Sequence, residues 1–257
     1  MSILQRFHMH GSVAIVTGSG RGIGRAIALA YAEAGADVVC SARSLDEVQA
    51  VAEEVRGLGR RALAFACDVN DAEQRHSLVR QSVDQMGRIT HLVNNVGGGG
   101  PNDPLAMTPE QFSQVLTFNV ATSYAFCQLC VPLMREAGGG NIINISSVAA
   151  RYAQRHFSAY GTAKAALSHL TRLLAQDFAP QVRVNAVAPG PTLTEALNGV
   201  MPTAMREVME ANTPLKCLGT PQDIAAAALY LASPASAWVT GKVIDVDGGA
   251  DSSVWPG

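Results

Sequence analysis

The chain has 257 residues, of which 48% are hydrophobic and 16% are charged, and its formal net charge is −2. A chain of this length and composition can bury a large core, and its balanced charge gives no reason to expect binding to nucleic acid or to an anionic membrane. Its five cysteines are irregularly spaced, so they predict free thiols rather than a disulfide framework. Such thiols suit the reducing cytoplasm, where we expect the protein to be located.

Short apolar runs rich in valine and isoleucine alternate with longer segments of helical periodicity. This alternation predicts an α/β fold of the Rossmann type, a doubly wound parallel sheet with helices on both faces. The predicted strands are Val13–Thr17, Asp37–Ser41, Ala62–Cys67, His91–Asn94, Asn141–Ile145, Val182–Val187 and Val243–Val246. The predicted helices are Gly22–Ala34, Leu45–Leu58, Asp71–Met86, Pro109–Arg135, Ser158–Phe178 and Pro221–Leu231.

We interpret residues 1–257 as a single dinucleotide-binding and catalytic domain, because no repeat or linker interrupts the alternation. The segment at about 191–218 is irregular and proline-containing, so we predict that it is a lid over the substrate. No apolar run near the N-terminus predicts a signal peptide, and no run approaches the roughly 18 residues of a membrane span. Near the C-terminus, Trp255 is expected to pack at a subunit interface.

A glycine-rich motif, Thr-Gly-Ser-Gly-Arg-Gly-Ile-Gly, follows the first predicted strand and begins the first predicted helix. In this context glycines let backbone N–H groups approach a pyrophosphate, and the helix N-terminus adds partial positive charge. The motif therefore predicts dinucleotide binding. The residues expected to take part are Gly18, Ser19, Arg21, Gly22, Ile23 and Gly24.

The end of the second strand indicates which nicotinamide cofactor is used. A carboxylate there would bind the ribose 2′-hydroxyl, but this chain has Ala42 followed by Arg43. Arg43 and Arg21 could instead bind a 2′-phosphate. We therefore predict a preference for NADP(H), with NAD(H) possible if Asp46 supplies the ribose contact. Asp68 and Val69, after the third strand, are placed to hold the adenine.

Tyr160 and Lys164 lie four residues apart in a predicted helix, so their side chains should share one face. A lysine charge beside a phenol favours the phenolate and lowers its pKa. Such a pair can exchange protons with an alcohol or a ketone. An ordinary surface pair has the same spacing, so the interpretation depends on the other motifs of the chain. No cluster of histidine, aspartate and glutamate has metal-binding spacing, and no metal is expected.

Six motifs in order resemble the short-chain dehydrogenase/reductase family over residues 11–249. They are the glycine motif, Asn-Asn-x-Gly, a helical asparagine, a serine thirteen residues before the tyrosine, Tyr-x-x-x-Lys and Pro-Gly. The resemblance implies a single domain with strand order 3-2-1-4-5-6-7, usually assembled as a homotetramer. One departure is valine at Val96, where the family usually has alanine.

The resemblance also implies catalytic roles at matching positions. Tyr160 would be the general acid/base, Lys164 would lower its pKa and bind the nicotinamide ribose, and Ser147 would bind the substrate oxygen. Asn119 would hold a water molecule in a proton relay. Further cofactor contacts are expected at Asn95, Gly97, Tyr160, Lys164, Pro189, Gly190, Thr192, Leu193 and Thr194, and substrate contacts at Gly98, Gly99, Ser147, Tyr152 and Tyr160.

Within the family, the chain looks most like bacterial 7α-hydroxysteroid dehydrogenases, and this predicts a hydroxysteroid substrate. The similarity rests on the Asn94–Pro101 and Leu193–Leu197 segments, on Thr213–Leu215 and on Leu218–Ile224. The motifs fit a 3-oxoacyl-(acyl-carrier-protein) reductase equally well, although few basic residues near the lid could meet an acidic carrier protein. A reductase for some other secondary alcohol or ketone is a third possibility. A non-catalytic nucleotide-binding sensor on the same fold is an alternative of another class.

Overall fold

The computed structural model describes residues 2–199 and 201–255. Seven parallel strands form one sheet in the order β3-β2-β1-β4-β5-β6-β7, which confirms the predicted fold. The strands are β1 (Val13–Thr17), β2 (Asp37–Ala42), β3 (Ala62–Ala66), β4 (His91–Asn94), β5 (Gly140–Ile145), β6 (Val182–Pro189) and β7 (Val243–Val246).

The long helices begin and end close to the predicted residues. Gly87, with a left-handed φ of 85°, ends α3, and threonine caps begin two helices at the predicted prolines. The helices are α1 (Gly22–Glu33), α2 (Leu45–Gly57), α3 (Ala72–Met86), α4 (Pro109–Leu116), α5 (Thr122–Glu136), α6 (Ser158–Phe178), α7 (Glu195–Asn198), α8 (Thr203–Asn212) and α9 (Pro221–Ala232).

The sheet separates two hydrophobic layers. On β1, Ala14 and Val16 face the layer covered by α1, α2 and α9, whereas Val13 and Ile15 face the layer covered by α3, α5 and α6. All five residues of this strand are buried. Because the strand is buried on both faces, its sequence is a continuous apolar run and does not alternate between apolar and polar residues.

The predicted helix Pro109–Arg135 is divided by a π-helical turn, Thr117–Ala121, that joins α4 to α5. By length and mean hydropathy, Pro109–Glu136 is the one helix of the described residues that could cross a membrane. No membrane-spanning segment was predicted from the sequence. Phe126, Cys130 and Met134 nevertheless bury its α5 half in the core. We therefore interpret it as a core helix of a globular domain.

The strand order reverses between β1 and β4, so a crevice opens at the carboxyl ends of these strands. Asn95 closes this region from the β4 side, because its side-chain amide donates to the carbonyl oxygens of Thr17 at 2.9 Å and Gly18 at 3.2 Å. Thr17 in turn donates its hydroxyl to the Val93 carbonyl at 3.0 Å. The glycine-rich loop is thereby fixed to the central strand.

The predicted lid, at about 191–218, contains α7 and α8 and includes residue 200, which lies outside the described residues. A parallel bridge between Thr192 and Gly219 closes its base.

A third apolar cluster joins α8 to the C-terminal tail through Met209 and Val254, with Trp255 packed against it. The indole ring of Trp255 packs within its own chain, 5.6 Å from the Phe157 ring, and its expected place at a subunit interface stays a prediction. Pro256 and Gly257 lie outside the described residues.

Candidate active site

A cleft with two lobes follows the carboxyl ends of the strands. One lobe, of about 360 Å³, lies over β2 and β3, and the other, of about 420 Å³, lies over β5 and β6. Arg21, Asn95 and Gly97 line both lobes, so the two lobes adjoin each other. Two joined cavities of this size fit the two halves of a dinucleotide, and both are reached from the glycine-rich loop.

The glycine-rich loop needs its glycines for packing. A Cβ at Gly24 would overlap the carbonyl group of Gly18 and lie 2.6 Å from Asn95 Nδ2. Gly18 and Gly22 have left-handed φ values of 65° and 55°. Close packing at Gly24 and the backbone angles of Gly18 and Gly22 explain why glycine occupies these positions. The start of α1 thereby lies at the cleft, where its N–H groups can face a pyrophosphate.

Most of the predicted cofactor residues line the cleft. Gly18, Arg43, Asp68 and Val69 line the lobe over β2 and β3. The lobe over β5 and β6 is lined by Gly22, Ile23, Gly24, Tyr160, Lys164, Pro189, Gly190, Thr192 and Thr194.

Two predicted cofactor residues do not line either lobe. Ser19 is fully buried, and its hydroxyl accepts a hydrogen bond from Ser41 N at 2.8 Å, so it joins the loop to β2. Leu193 packs in the apolar cluster of the lid instead. Neither side chain therefore lines the cleft, and each residue can contribute to cofactor binding only through its backbone.

The catalytic candidates come together at the end of β5. Tyr160 is half-buried, and the Ser147 hydroxyl lies close enough to its phenol to lower the pKa of that phenol. The neighbouring Ser146 is occupied elsewhere, since its hydroxyl contacts the Lys164 carbonyl at 3.1 Å and Ser168 Oγ at 2.7 Å. The thirteen-residue spacing therefore selects the serine that the structure places beside the tyrosine.

Lys164 is buried beneath Tyr160. Its Nζ donates to the Ile145 carbonyl at 2.8 Å and lies 5.7 Å from the centre of the Tyr160 ring. Burial lowers the pKa of Lys164 to about 8. The ammonium group is therefore only partly protonated slightly above neutral pH, and its charge can respond to small changes around it.

The expected lowering of the Tyr160 pKa is not found. Burial raises this pKa, and the hydrogen bond with Ser147 only partly offsets the increase. The physical reason is that desolvation disfavours the phenolate, while the positive charge expected to oppose it is itself weakened by burial at Lys164. Proximity of the two side chains, which the sequence predicted, thus does not by itself give a low tyrosine pKa.

Asn119 lies within the π-helical turn and supports the glycine cluster. Its side chain exchanges two hydrogen bonds with the Gly98 backbone, each 2.9 Å long, and donates to Val115 O at the same distance. A Cβ at Gly97 would lie 2.7 Å from Asn119 Oδ1 and 2.9 Å from Lys164 Nζ. The side chain of Asn119 thus lies beside Lys164 and holds the loop, and its predicted role with water stays a prediction.

A small apolar cavity of about 130 Å³ adjoins Ser147 and Tyr160. The side chains of Leu197, Met209, Val254 and Trp255 are among its lining groups. Tyr160 therefore borders both this cavity and the lobe over β5 and β6. A substrate with an apolar body fits it better than a charged one.

The predicted substrate residues are only partly brought together there. Tyr152 lines the cavity, but its hydroxyl donates to Asp247 Oδ2 at 2.9 Å and also contacts the Ala250 carbonyl. Gly99 lies behind the Tyr160 ring, where a Cβ would come within 2.9 Å of that side chain. Gly98 lines a separate surface groove beside Phe118. Gly99 thus packs against the Tyr160 side chain, Gly98 lies in a separate groove, and neither glycine lines the apolar cavity.

Several lining residues were not predicted from the sequence. Glu47 lines the lobe over β2 and β3, Glu195 and Leu197 line the other lobe, and Val254 and Trp255 line the apolar cavity. Glu47 lies in the first turn of the helix predicted to begin at Leu45, soon after the second strand. An acid at this position could have been proposed as a cofactor contact from the sequence. The tail residues carry no such signal, because their position depends on how the chain end folds back.

The parallel sheet, the glycine-lined cleft and the Ser147, Tyr160 and Lys164 cluster define a nicotinamide-dependent oxidoreductase of alcohols and ketones. A family model described as enoyl-(acyl carrier protein) reductase matches residues 18–251. The chain belongs to the short-chain dehydrogenase/reductase family.

Individual relatives are similar over nearly the whole chain. An uncharacterised oxidoreductase of Mycobacterium tuberculosis is 51% identical over 96% of this chain and 95% of its own length. The 7α-hydroxysteroid dehydrogenase of Escherichia coli is 41% identical over 94% of each chain. A solved 7α-hydroxysteroid dehydrogenase, in complex with NADH and 7-oxo glycochenodeoxycholic acid, superposes with a TM-score of 0.93 at 40% identity, covering 97% of this chain and 98% of that one. The predicted resemblance is thereby confirmed.

Proposed function

We propose that the protein interconverts a hydroxysteroid and the corresponding ketosteroid by hydride transfer, with NADP(H) as the preferred cofactor. The observation that carries this proposal is the position of Ser147 and Tyr160, which line both the dinucleotide cleft and the apolar cavity. A ketone in the cavity would meet the cofactor at these two side chains.

When bound, a nicotinamide supplies or accepts the hydride, and the protein supplies orientation and a proton. In the reductive direction Tyr160 gives its proton to the oxygen that becomes the alcohol, and Ser147 donates a hydrogen bond to the same oxygen. The raised pKa of Tyr160 keeps the phenol protonated, which suits a proton donor. In the oxidative direction Tyr160 must first lose its proton, and a charged Lys164 favours that loss.

The steroid assignment is supported by the apolar lining of the cavity and by the relatives that act on hydroxysteroids. Its volume of about 130 Å³ accommodates the reacting ring of a polycyclic substrate, and the remaining rings would extend along the lid and the tail. The preference for NADP(H) is supported by Arg43 and Arg21, which line the lobe where a 2′-phosphate would lie, with Ala42 in place of an acid.

A 3-oxoacyl-(acyl-carrier-protein) reductase is the alternative substrate assignment, and the charges near the site argue against it. Arg151 pairs with Asp245 at 3.0 Å, and Arg206 pairs with Glu210 at 2.8 Å. Lys216 donates to the Ala211 carbonyl at 2.6 Å. The basic groups expected to meet an acidic carrier protein are thus already engaged within the chain.

A panel of substrates tests the assignment. We expect oxidation of NADPH with 7-keto bile acids, and reduction of NADP+ with 7α-hydroxy bile acids, at rates far above those with an acetoacetyl thioester. Cyclohexanone, which fits the cavity but has no further rings to extend along the lid and the tail, should show a much higher KM than the bile acids. Faster turnover of the thioester would contradict the steroid assignment while leaving the oxidoreductase class intact.

Replacement of Tyr160 by Phe tests the chemistry and separates an enzyme from a nucleotide-binding sensor. Loss of the proton donor should lower kcat by roughly 10²- to 10⁴-fold, because this is the usual contribution of a positioned general acid. Binding of NADPH, followed by its fluorescence, should be retained. The matched control is Tyr124→Phe on the exposed face of α5, which should keep full activity. Substantial turnover by Tyr160→Phe would contradict the assigned role.

We also propose that the protein is cytoplasmic and forms a homotetramer. All five cysteines are free, four of them buried, which is compatible with a reducing compartment. The tetramer follows from the family resemblance. Light scattering on the purified chain would measure the assembly, and a monomer at micromolar concentration would contradict it.

A further inference from the structure

Glu47 extends over the glycine-rich loop from the first turn of α2. Ser44 caps this helix by accepting a hydrogen bond from Glu47 N at 3.3 Å, which fixes where the side chain begins. A Cβ at Gly20 would lie 2.7 Å from Glu47 Oε2, so the carboxylate rests directly on that glycine. Glu47 thereby lines the same lobe of the cleft as Arg43.

The carboxylate of Glu47 has no partner of its own. Over residues 2–199 and 201–255, its side chain takes part in no ion pair and accepts no hydrogen bond, although it is only half-exposed. Asp68, the other acid of the lobe, is engaged by Asn70 through two hydrogen bonds of 3.0 and 3.1 Å. The acceptor oxygens of Glu47 are therefore available to a ligand in the lobe.

This lobe thus holds opposing charges around the place of the adenosine ribose. Arg21 and Arg43 favour a 2′-phosphate, whereas a carboxylate repels it and accepts a hydrogen bond from a free 2′-hydroxyl. The end of β2, where an acid would usually bind the free 2′-hydroxyl, is occupied by Ala42. Glu47 reaches the lobe from the neighbouring helix, above the side chain of Ala42, which a Cβ at Gly20 would approach to 3.5 Å.

We propose that Glu47 is a cofactor-specificity residue, which opposes the two arginines and limits the preference of this protein for NADP(H) over NAD(H). The proposal rests on the proposed function only in requiring that the cleft binds a nicotinamide dinucleotide. It predicts a protein that uses both cofactors, with a moderate preference set by the balance of Glu47 against Arg43 and Arg21.

The test is direct binding of NADPH and NADH, measured by fluorescence titration in the absence of substrate. Glu47→Gln should raise the ratio of NADPH to NADH affinity by roughly five- to tenfold, as expected for removing one charge a few ångströms from a phosphate across solvent-exposed protein. The effect should shrink at high salt. Arg43→Gln should change the ratio in the opposite direction.

Asp46 was the ribose contact that the sequence left open, but it is exposed and does not line the lobe. Because it precedes Glu47 in the same helical turn, Asp46→Asn is the matched control. It removes the same charge from the helix N-terminus and should leave the ratio unchanged. An unchanged ratio in Glu47→Gln, or an equal rise in Asp46→Asn, would overturn the proposal for Glu47 alone. Failure of the unmodified protein to bind either nucleotide would overturn the proposed function and this inference together.

Discussion

Lys164 shows how a single residue in this site combines structural and chemical roles. Its aliphatic chain lies in the core beneath Tyr160, and its Nζ reaches the Ile145 carbonyl at the end of β5. The sequence predicted the helical pairing with Tyr160 from the four-residue spacing. It could not predict the burial of the pair, which depends on how α6 packs against β5 and which determines the pKa values of both groups.

The lowered pKa of Lys164 makes protein stability depend on pH. Between about pH 8, its pKa in the folded chain, and its ordinary value near 10.5, the unfolded chain holds a proton that the folded chain has released. The free energy of unfolding therefore rises with pH in this window. Relative to Lys164→Met, the unmodified protein should gain about 2–3 kcal/mol between pH 7.5 and pH 10.5.

Urea denaturation of the cofactor-free proteins at several pH values measures this difference. Lys242→Met is the control, because Lys242 is exposed and its replacement should leave the difference from the unmodified protein constant. A constant difference for Lys164→Met would mean that the ammonium stays solvated in the folded protein.

At the scale of elements, the turn from β1 into α1 is held in place by the loop that follows β4. Asn95 holds the backbone of this turn from the other side of the crevice. The glycine pattern identified the turn, since only a strand–turn–helix context makes such a motif meaningful. Which glycine is needed for close packing was not evident from the pattern, because the carbonyl and amide groups that crowd Gly24 come from distant parts of the loop and from Asn95.

Replacement of Gly24 by Ala should therefore weaken cofactor binding. The added Cβ would displace the Gly18 carbonyl and the Asn95 amide, and overpacking of this kind costs about 1–3 kcal/mol, or roughly five- to a hundredfold in NADPH affinity. Gly57→Ala at the end of α2 is the control, since nothing lies within 4 Å of its added Cβ. Equal NADPH affinity in the two variants would show that the turn tolerates a side chain and that the packing argument is wrong.

At the scale of the whole molecule, the apolar cavity beside Tyr160 forms where three distant segments meet. The loop after β5 contributes Tyr152, the lid contributes Met209, and the tail contributes Trp255. Arg151 joins the loop after β5 to the end of the sheet and to the tail, because it pairs with Asp245 at 3.0 Å and with Asp247 at 3.2 Å and donates to the Ala250 carbonyl at 2.9 Å. The Trp255 ring stands edge-on to Phe157, which itself lies 6.2 Å from the Tyr160 ring.

Replacement of Trp255 by Ala should therefore affect substrate more than cofactor. Loss of about half of a buried aromatic contact, roughly 1 kcal/mol, should raise the KM for bile acids by about fivefold. The KM for NADPH should stay unchanged, since Trp255 does not line the dinucleotide cleft. Trp238→Ala, at a tryptophan that is 99% exposed, is the control and should change neither constant. A shift in the KM for NADPH would contradict this division of the site.

The resemblance to the family singled out Ser147, whereas the sequence by itself determined the parallel sheet, the glycine turn and the pairing of Tyr160 with Lys164. These features depend on interactions between near neighbours in the chain, such as strand burial, helix caps and the four-residue helical repeat, and such interactions leave periodic patterns. Only the tertiary structure decided the direction of the Tyr160 pKa, the position of Glu47 over Gly20 and the closure of the cavity by Trp255. Each of these depends on desolvation or on contacts between segments far apart in the chain, and long-range packing of this kind leaves no local pattern in the sequence.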